Sequence, residues 1–257
     1  MTKPVAMQLA GGLAQDRVTQ LSDLIAEITA SGLNSLPYLA PALLFARNEV
    51  QAAIGMPKAA PHEILVQDFQ AIDHAAALPL DTALQASCLS TVKGGSTEFR
   101  IDLGGYLTLT TALRRVPRQD LSAIRPMLLR NTAALGDLGA AGPLVFSQRQ
   151  VNRYLALSGD GNPIHSDPDE ARSLGLPRPI VPGLLLVSTI QPDCAQALPD
   201  ARLRNLKVRF LAPLCVQDSC HIALQSRGPG PEGSTRARAY VFAKDARALA
   251  IADLLFG

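Results

Sequence analysis

The sequence predicts an α+β fold built from two related halves. Each half has an apolar helical segment followed by short apolar runs that glycine or proline separates, which is typical of a helix leading into an antiparallel meander. The helical segments are 41–54 in the first half and 182–190 in the second. The predicted strands lie at 63–67, 84–92, 97–103, 106–113, 202–212, 218–226, 234–243 and 246–254.

Two short sequence similarities indicate that the halves arose by duplication. Pro41-Ala-Leu-Leu-Phe45 resembles Pro182-Gly-Leu-Leu-Leu186, and Pro79-Leu-Asp-Thr82 resembles Pro213-Leu214 followed by Asp218-Ser219. The segments occur in the same order and at similar spacing, as an internal repeat requires. Chance similarity is the alternative, because buried helices and strand starts use few residue types.

A glycine-rich stretch between the halves marks a domain boundary. Residues 117–143 contain Gly136, Gly139 and Gly142, a composition typical of a linker that includes a short helical stretch. We therefore expect domains over 1–125 and 146–257, joined by a linker over 126–145.

Two amphipathic helices are also expected. The first covers 13–31, and its apolar residues recur at helical spacing. They are Leu21, Leu24, Ile25 and Ile28. The second covers 147–157, where Ser147 is placed to cap the helix and Gln150 occupies the reciprocal position of a capping box.

Composition and charge exclude several classes of protein. Hydrophobic residues make up 47% of the chain and charged residues 18%, which favours a folded core over disorder. The net charge of +2 comes from 24 basic and 22 acidic residues without basic runs, so we expect no nucleic-acid partner.

Cysteine spacing and hydropathy predict a cytoplasmic protein that does not bind membranes. The four cysteines lack C-x-x-C spacing and are interpreted as reduced thiols, with a Cys215–Cys220 disulfide as the alternative. The sequence contains no apolar run close to the roughly 18 residues of a membrane span.

The stretch Ser158-Gly-Asp-Gly-Asn-Pro-Ile-His165 follows the second amphipathic helix and carries the candidate chemistry. Gly161 and Pro163 impose a turn, across which Asp160 and His165 can face one another. A carboxylate and an imidazole in this arrangement can share one water molecule and act as an acid/base pair. Ordinary turn chemistry for Asp160 and a structural role for His165 are the alternatives.

Two further features near this turn have chemical interpretations. Gly183 opens an apolar helix, where its backbone N–H is placed to stabilise a developing oxyanion, although it can equally serve close packing. Asp167 and Asp169 can be combined with His165 as metal ligands, but one histidine without a second cluster favours a solvated helix start at Pro168. We expect no metal.

The residues 154–171, Tyr-Leu-Ala-Leu-Ser-Gly-Asp-Gly-Asn-Pro-Ile-His-Ser-Asp-Pro-Asp-Glu-Ala, are followed by Pro179-Ile-Val-Pro-Gly-Leu-Leu185. Together they resemble the hydratase 2 motif of the MaoC-like, R-specific enoyl-CoA hydratase family, and the similarity extends over about 145–215, including Phe210-Leu-Ala-Pro213. The resemblance implies a hot-dog fold, an antiparallel sheet that wraps a central helix, here 182–198. Since the first half lacks the motif, it further implies a double hot-dog with a degenerate N-terminal domain and a catalytic C-terminal domain.

The resemblance also assigns roles to individual residues. Asp160 and His165 match the catalytic pair, Asn162 the asparagine that supports the loop, and Gly183 the oxyanion glycine. Ser188 matches a polar helix residue that hydrogen-bonds near the catalytic aspartate. Pro182 departs from the family pattern, which has histidine or another non-proline residue before the glycine, and this departure puts the oxyanion geometry in doubt.

The activity implied by the resemblance is reversible hydration of a trans-2-enoyl-CoA, or of the corresponding acyl-carrier-protein (ACP) thioester, to an (R)-3-hydroxyacyl thioester. Such a role in fatty acid metabolism needs no cofactor beyond the thioester substrate. The alternatives are a hot-dog thioesterase and a non-catalytic subunit that binds acyl thioesters. A homodimer of double hot-dogs is the expected assembly.

Substrate contacts are expected at Pro182, Leu184 and Arg209. Arg209 is one of four candidates for the phosphates of the ligand, although each is also an ordinary surface charge. The other three candidates are Arg172, Arg178 and Lys207.

Overall fold

The computed structural model describes residues 3–33, 35–56, 59–118 and 126–257. Within these residues the strands form a single antiparallel sheet of ten. The strands are β1 (Val5–Leu9), β2 (Glu63–His74), β3 (Leu84–Lys93), β4 (Ser96–Leu103), β5 (Leu107–Pro117), β6 (Gly139–Val145), β7 (Leu203–Phe210), β8 (Ser219–Pro229), β9 (Thr235–Ala243) and β10 (Ala248–Phe256). The α-helices are α1 (Gln15–Thr29), α2 (Asn48–Ile54), α3 (Gln148–Ser158), α4 (Pro168–Ser173), α5 (Gly183–Ser188) and α6 (Gln191–Ala197).

The order of strands in the sheet shows the duplication directly. It runs β1-β3-β4-β5-β2 through the first half and β7-β10-β9-β8-β6 through the second. Each strand of one half thus has a counterpart in the other, with β2 matching β7 and β5 matching β10. The α+β class and the duplicated hot-dog architecture are confirmed.

The two halves join where β2 pairs with β7. Five residues of β2, from Phe69 to Asp73, lie opposite Arg209 to Asn205 in antiparallel register. Because both strands are central, the backbone hydrogen bonds continue across the junction and the halves share one sheet. One apolar core, made of residues from both halves, packs against it.

The predicted strands are all present, and β2 is longer than expected. It extends beyond Gln67 because a bulge between Gln67 and Phe69 lets the strand continue past Asp68. Alternation of polar and apolar residues breaks at such a bulge, which adds one residue to one strand. The strand predicted from the sequence pattern is therefore too short at its C-terminal end.

Residues 139–145, expected within a linker, form β6 and pair with β8 at an edge of the sheet. The segment Gly-Ala-Ala-Gly-Pro-Leu-Val lacks the β-branched alternation that predicts strands. Pro143 is compatible with this position because an edge strand has one unpaired side. Of the short helical stretch expected in 117–143, the part over 119–125 lies outside the described residues, and 132–135 form a 3₁₀ turn.

The two long helical segments lie where the sequence predicts them. The prediction that each is one continuous helix is wrong. Residues 40–46 form a 3₁₀ helix, Arg47 is extended, and α2 follows and ends at Gly55 in the left-handed conformation. The segment 182–198 is divided into α5 and α6. Pro192 lies in the first turn of α6. Backbone N–H groups in that turn have no partner within the helix, so proline costs no helical hydrogen bond there.

The two amphipathic helices are confirmed. The five buried residues of α1 include the four apolar positions identified in the sequence. At the start of α3, the Gln150 backbone N–H donates to the Ser147 hydroxyl over 3.2 Å, and the Ser147 N–H donates to Gln150 Oε1 over 2.8 Å. This capping box fixes the beginning of the helix that leads into the motif loop.

Each of the four cysteines is a buried free thiol, so Cys215 and Cys220 do not form a disulfide. Among the described helices, none combines the length and the apolar character that crossing a membrane requires.

Replacing Ser147 by alanine is expected to lower the free energy of unfolding by about 1 kcal/mol, because the capping hydroxyl is lost. Chemical denaturation measures the change. Ser31→Ala, at an exposed position just after α1, is the matched control and is expected to change stability by less than about 0.5 kcal/mol. Equal effects of the two substitutions would contradict the role of the cap.

Asp193, in the first turn of α6, makes stability depend on pH, because burial raises the pKa of its carboxyl to about 6. An unfolded aspartate has a pKa of about 3.9, so the folded state binds more protons between these values. The contribution of Asp193 therefore becomes less favourable as the pH rises from about 4 to about 6.

Asp193→Asn is accordingly expected to stabilise the protein more at pH 8 than at pH 4.5, as measured by denaturation at both pH values. The exposed Asp200, replaced by asparagine, is the control and should give the same change at both. A pH-independent effect of Asp193→Asn would rule out this titration.

Candidate functional site

The motif loop starts where α3 stops. Gly159 adopts the left-handed conformation (φ 65°) that ends the helix. A Cβ atom there would lie 2.8 Å from Cβ of Ala46, on the 3₁₀ helix of the first half. Both the backbone angle and this close approach require glycine. The loop is therefore held against the other half at its first residue.

Local hydrogen bonds shape the rest of the turn. The Asp160 carboxylate accepts from the Asn162 N–H over 3.0 Å, and the Asn162 side chain accepts from the Ile164 N–H over 3.3 Å. Pro163 then begins a 3₁₀ turn that ends at His165. The loop-supporting position predicted for Asn162 agrees with these contacts.

His165 is buried, with 9% of its surface exposed, and its ring orientation is defined by one backbone group. Nδ1 lies 2.9 Å from the carbonyl oxygen of Ile180. A carbonyl only accepts, so Nδ1 carries the proton and Nε2 of the neutral ring is left with its lone pair. Nε2 lies 3.6 Å from Oδ2 of Asp160.

The segment that supplies this carbonyl is itself held on both sides. The Ile180 N–H donates to the Ile164 carbonyl, and the neighbouring Val181 N–H donates to Leu214. On the other side of the loop, Gln148 Nε2 donates to the carbonyl of His165 over 2.9 Å. The histidine is thus positioned by the Ile180 carbonyl at its ring and by the Gln148 side chain at its own carbonyl.

Asp160 and His165 lie in the wall of a cavity of about 480 Å³ to which both halves contribute. The separation of 3.6 Å is too long for a direct hydrogen bond of good geometry. The side chain of Asp160 is 39% exposed and that of His165 is 11% exposed, so a small ligand can reach both. The sequence prediction that these residues face one another across a turn is in agreement with this geometry.

Gly183 lines the same cavity at the start of α5. A Cβ atom at this position would lie 2.7 Å from the ring of Phe210 on β7, so a larger residue would require the ring to move. Its N–H belongs to the first turn, whose amides have no partner within a helix. Pro182 precedes it with φ −56° and ψ 132°, and its carbonyl accepts from the Leu186 N–H. Proline therefore fits this helix start without distortion.

Of the other residues predicted to contact the substrate or support the site, some line the cavity and others do not. Pro182 and Leu184 line the cavity. Ser188 is buried and donates its hydroxyl to the carbonyl of Leu184 over 2.7 Å, so the hydroxyl is used within α5. Arg209 is exposed, and because side chains alternate along β7 it points to the face opposite Phe210, away from the cavity.

The remaining phosphate candidates also lie outside the cavity lining. Lys207 is exposed on the same outer face of β7 as Arg209. Arg172 forms an ion pair with Asp169, and Arg178 forms one with Asp218. The structure thus brings none of these cations to the Asp160 carboxylate.

The predicted helix start at Pro168 is confirmed. Asp167 caps α4 by accepting from the N–H groups of Asp169 and Glu170 at 2.8 and 3.3 Å. Of the acidic residues after the motif, Asp167 thus caps α4 and Asp169 forms an ion pair with Arg172. Among the described residues no group of three or more potential metal ligands comes together.

Tyr154 is a cavity residue to which the sequence assigned no role. It lies on α3 with 4% of its surface exposed, and burial together with the Asp160 carboxylate raises the pKa of its phenol. Its helical spacing is that of a core residue, so its proximity to Asp160 could not be inferred. A neutral phenol beside the carboxylate adds a hydrogen-bonding group to the site.

A family model described as MaoC like domain matches residues 131–241. The mitochondrial 3-hydroxyacyl-(acyl-carrier-protein) dehydratase of Arabidopsis thaliana is 31% identical over 74 residues, which are 29% of this chain and 45% of that protein. The 3-hydroxyacyl-thioester dehydratase X of Mycobacterium tuberculosis is 32% identical over 74 residues, 29% of this chain and 26% of that protein. The similarity spans less than half the length of both relatives.

The fold similarity is more extensive than the sequence similarity. The crystal structure of HtdX from Mycobacterium tuberculosis superposes with a TM-score of 0.67 at 18% identity, covering 98% of this chain and 99% of that one. The whole chain, including the half without the motif, therefore shares its architecture with a solved protein.

Gly183→Ala is expected to lower the free energy of unfolding by about 1 to 3 kcal/mol, because the added methyl group overlaps the Phe210 ring. The cost should be smaller in a Phe210→Leu background, since the overlapping ring is absent there. Denaturation of the four proteins in this cycle measures both values.

Gly139→Ala is the matched control, because a Cβ atom there has no neighbour within 4 Å among the described residues. An equal cost of Gly183→Ala in both backgrounds would show that contact with Phe210 is not the reason for glycine.

Proposed function

We propose that the chain catalyses the reversible hydration of a trans-2-enoyl thioester to an (R)-3-hydroxyacyl thioester. The match of residues 131–241 to a family model described as MaoC like domain supports this proposal. The observation that carries the proposal is the pair Asp160 and His165, 3.6 Å apart in the wall of one cavity. The names of the two curated relatives, both dehydratases of 3-hydroxyacyl thioesters, support the same reaction.

The pair can hold one water molecule between its two basic atoms. Nε2 of His165 presents a lone pair because Nδ1 donates to Ile180, and Oδ2 of Asp160 is a carboxylate oxygen. In hydration, the water oxygen bonds to the β-carbon and loses a proton to this pair, while a proton is delivered to the α-carbon. Because the pair takes one proton from water and returns one to the α-carbon, it begins and ends in the same protonation state. Dehydration reverses each step.

Negative charge develops on the thioester oxygen as water adds to the β-carbon. We assign its stabilisation to the N–H of Gly183, which belongs to the first turn of α5 and has no partner within the helix. Asp160, His165 and Gly183 all line the same cavity, as this role requires. Hydration involves no net oxidation or reduction, so the proposal includes no redox cofactor.

The cavity is also suited to an acyl chain. Side chains from the first half complete it, and most of those that line it are apolar. They include Phe45, Met56, Ile64, Val66, Phe99 and Leu113. The N-terminal half therefore supplies the acyl pocket in this proposal, while the motif half supplies the reacting groups. Either CoA or ACP can be the carrier.

Asp160→Asn is expected to reduce the hydration of crotonyl-CoA at least about 100-fold, because asparagine cannot take up the proton. His165→Ala should have an effect of the same order. Loss of the enoyl absorbance during hydration measures the rate. Asp167→Asn is the matched control on the same loop, since asparagine also caps helices and should preserve the rate.

Near-normal hydration by the Asp160→Asn protein would refute the proposed mechanism. Free-thiol release from acyl-CoA by the parent protein would instead indicate a thioesterase. Binding of acyl-CoA without turnover by the parent protein would indicate a non-catalytic subunit.

A further inference from the structure

A row of side chains crosses the inner face of the sheet, and its composition differs between the halves. The row follows directly paired residues on seven neighbouring strands, all of them buried. In strand order these residues are Phe99, Thr111, Gln70, Val208, Ala252, Ala239 and Leu224. Five are apolar, and the two polar members are neighbours in the first half.

Gln70 and Thr111 hydrogen-bond to each other deep in the protein. Gln70 is completely buried and Thr111 is 6% exposed. The Thr111 hydroxyl donates to Gln70 Oε1, which also accepts from Gln67 Nε2 over 3.0 Å. Burying an amide and a hydroxyl in an apolar region is unfavourable unless their hydrogen-bonding groups are satisfied.

This small network leaves hydrogen-bonding capacity open. The Gln70 side-chain amide has two N–H groups, and one of them donates to the Ala71 carbonyl over 3.2 Å. Within the described residues the other N–H meets no acceptor. The Thr111 oxygen retains acceptor lone pairs after it has donated its hydrogen. One donor and one acceptor are therefore available side by side.

The fold itself does not require a polar pair at this place. The symmetric strand order makes β7 and β10 the counterparts of β2 and β5. The β2–β7 pairing is antiparallel and centred on Ala71 and Lys207, so the position that matches Gln70 is Leu206. Leu254, the partner of Leu206 on β10, matches Thr111, and both leucines are completely or almost completely buried. Since apolar residues fill the matching positions, a ligand is the better explanation for Gln70 and Thr111.

The polar pair belongs to the cavity and lies near the reacting groups. Gln70 and Thr111 both line it. Gln70 is diagonal to Phe210 across the β2–β7 junction, and such neighbours are about 7 to 8 Å apart. Gly183 packs directly on the Phe210 ring. An acyl chain bound with its thioester at Gly183 thus begins close to the pair.

We propose that the physiological substrate carries a hydroxyl group on its acyl chain beyond the reacting carbons, and that Gln70 and Thr111 bind this group. A hydroxyl both donates and accepts, so it matches the free acceptor of Thr111 and the free N–H of Gln70. The inference rests on the proposed hydration function, and it names the class of acyl thioester on which that function acts.

The test compares trans-2-octenoyl-CoA with analogues that each carry one hydroxyl at a different carbon beyond the double bond. In the parent protein, at least one analogue should have a kcat/KM about 10-fold above that of the plain chain, which corresponds to one well-made hydrogen bond. In the double variant Gln70→Leu/Thr111→Val the preference should reverse, because a hydroxyl would then be buried without a partner.

The double variant removes both partners of the hydrogen bond together, so it is expected to fold. Thr110→Val is the matched control. Thr110 precedes Thr111 on β5, its side chain points to the other face, and it is not part of the cavity lining. This control should retain the preference of the parent protein.

A binding measurement separates this inference from the hydration proposal. Calorimetry with octanoyl-CoA and its hydroxylated analogues requires no turnover. Tighter binding of one hydroxylated chain by the parent, lost in the double variant, supports the substrate class even if no enoyl-CoA is hydrated. Equal binding of all chains, absence of binding, or an unchanged preference in the double variant would overturn it.

Discussion

The pairing of β2 with β7 is the contact on which the rest of the structure depends. It joins five residues of each half and makes one sheet from two. A helical layer from both halves packs against this sheet, and the cavity forms between them. Without the junction, the motif loop would lose the surface opposite it, including the Gln70 side chain and the 3₁₀ helix that contacts Gly159.

Backbone atoms at three positions contribute to the geometry of the site. Glycines at 159 and 183 allow contacts that a Cβ atom would prevent, one with Ala46 and one with Phe210. The Ile180 carbonyl determines which ring nitrogen of His165 carries the proton. The Ile180 contact uses a main-chain acceptor, so it does not depend on the identity of the side chain at position 180.

The sequence predicted those features that depend on local chemistry. The capping box at Ser147, the turn around Pro163 and the apolar stripe of α1 follow from residues close together in the chain, and all are present. The facing of Asp160 and His165 was predictable for the same reason. Their catalytic role remains a proposal.

Features that depend on distant contacts could not be predicted. The strand β6 is stabilised by pairing with β8, although its glycine- and alanine-rich sequence resembles a linker. The proximity of Tyr154 to Asp160 depends on how α3 packs. In both cases the deciding neighbour lies far away along the chain. The outward direction of Arg209, by contrast, is already indicated by the alternation of Leu206, Val208 and Phe210 with Lys207 and Arg209.

The symmetric strand order has a consequence for how the protein can evolve. In an assembly of two identical hot-dog subunits, every substitution appears twice, so a change that suits the ligand on one side also alters the other. Joining the units in one chain removes this restriction. Gln70 where the second half has Leu206, and Thr111 where it has Leu254, show the result, since structurally matching positions have acquired different chemistry. Duplication has thus allowed the side chains of one half to change while the other half retains its motif.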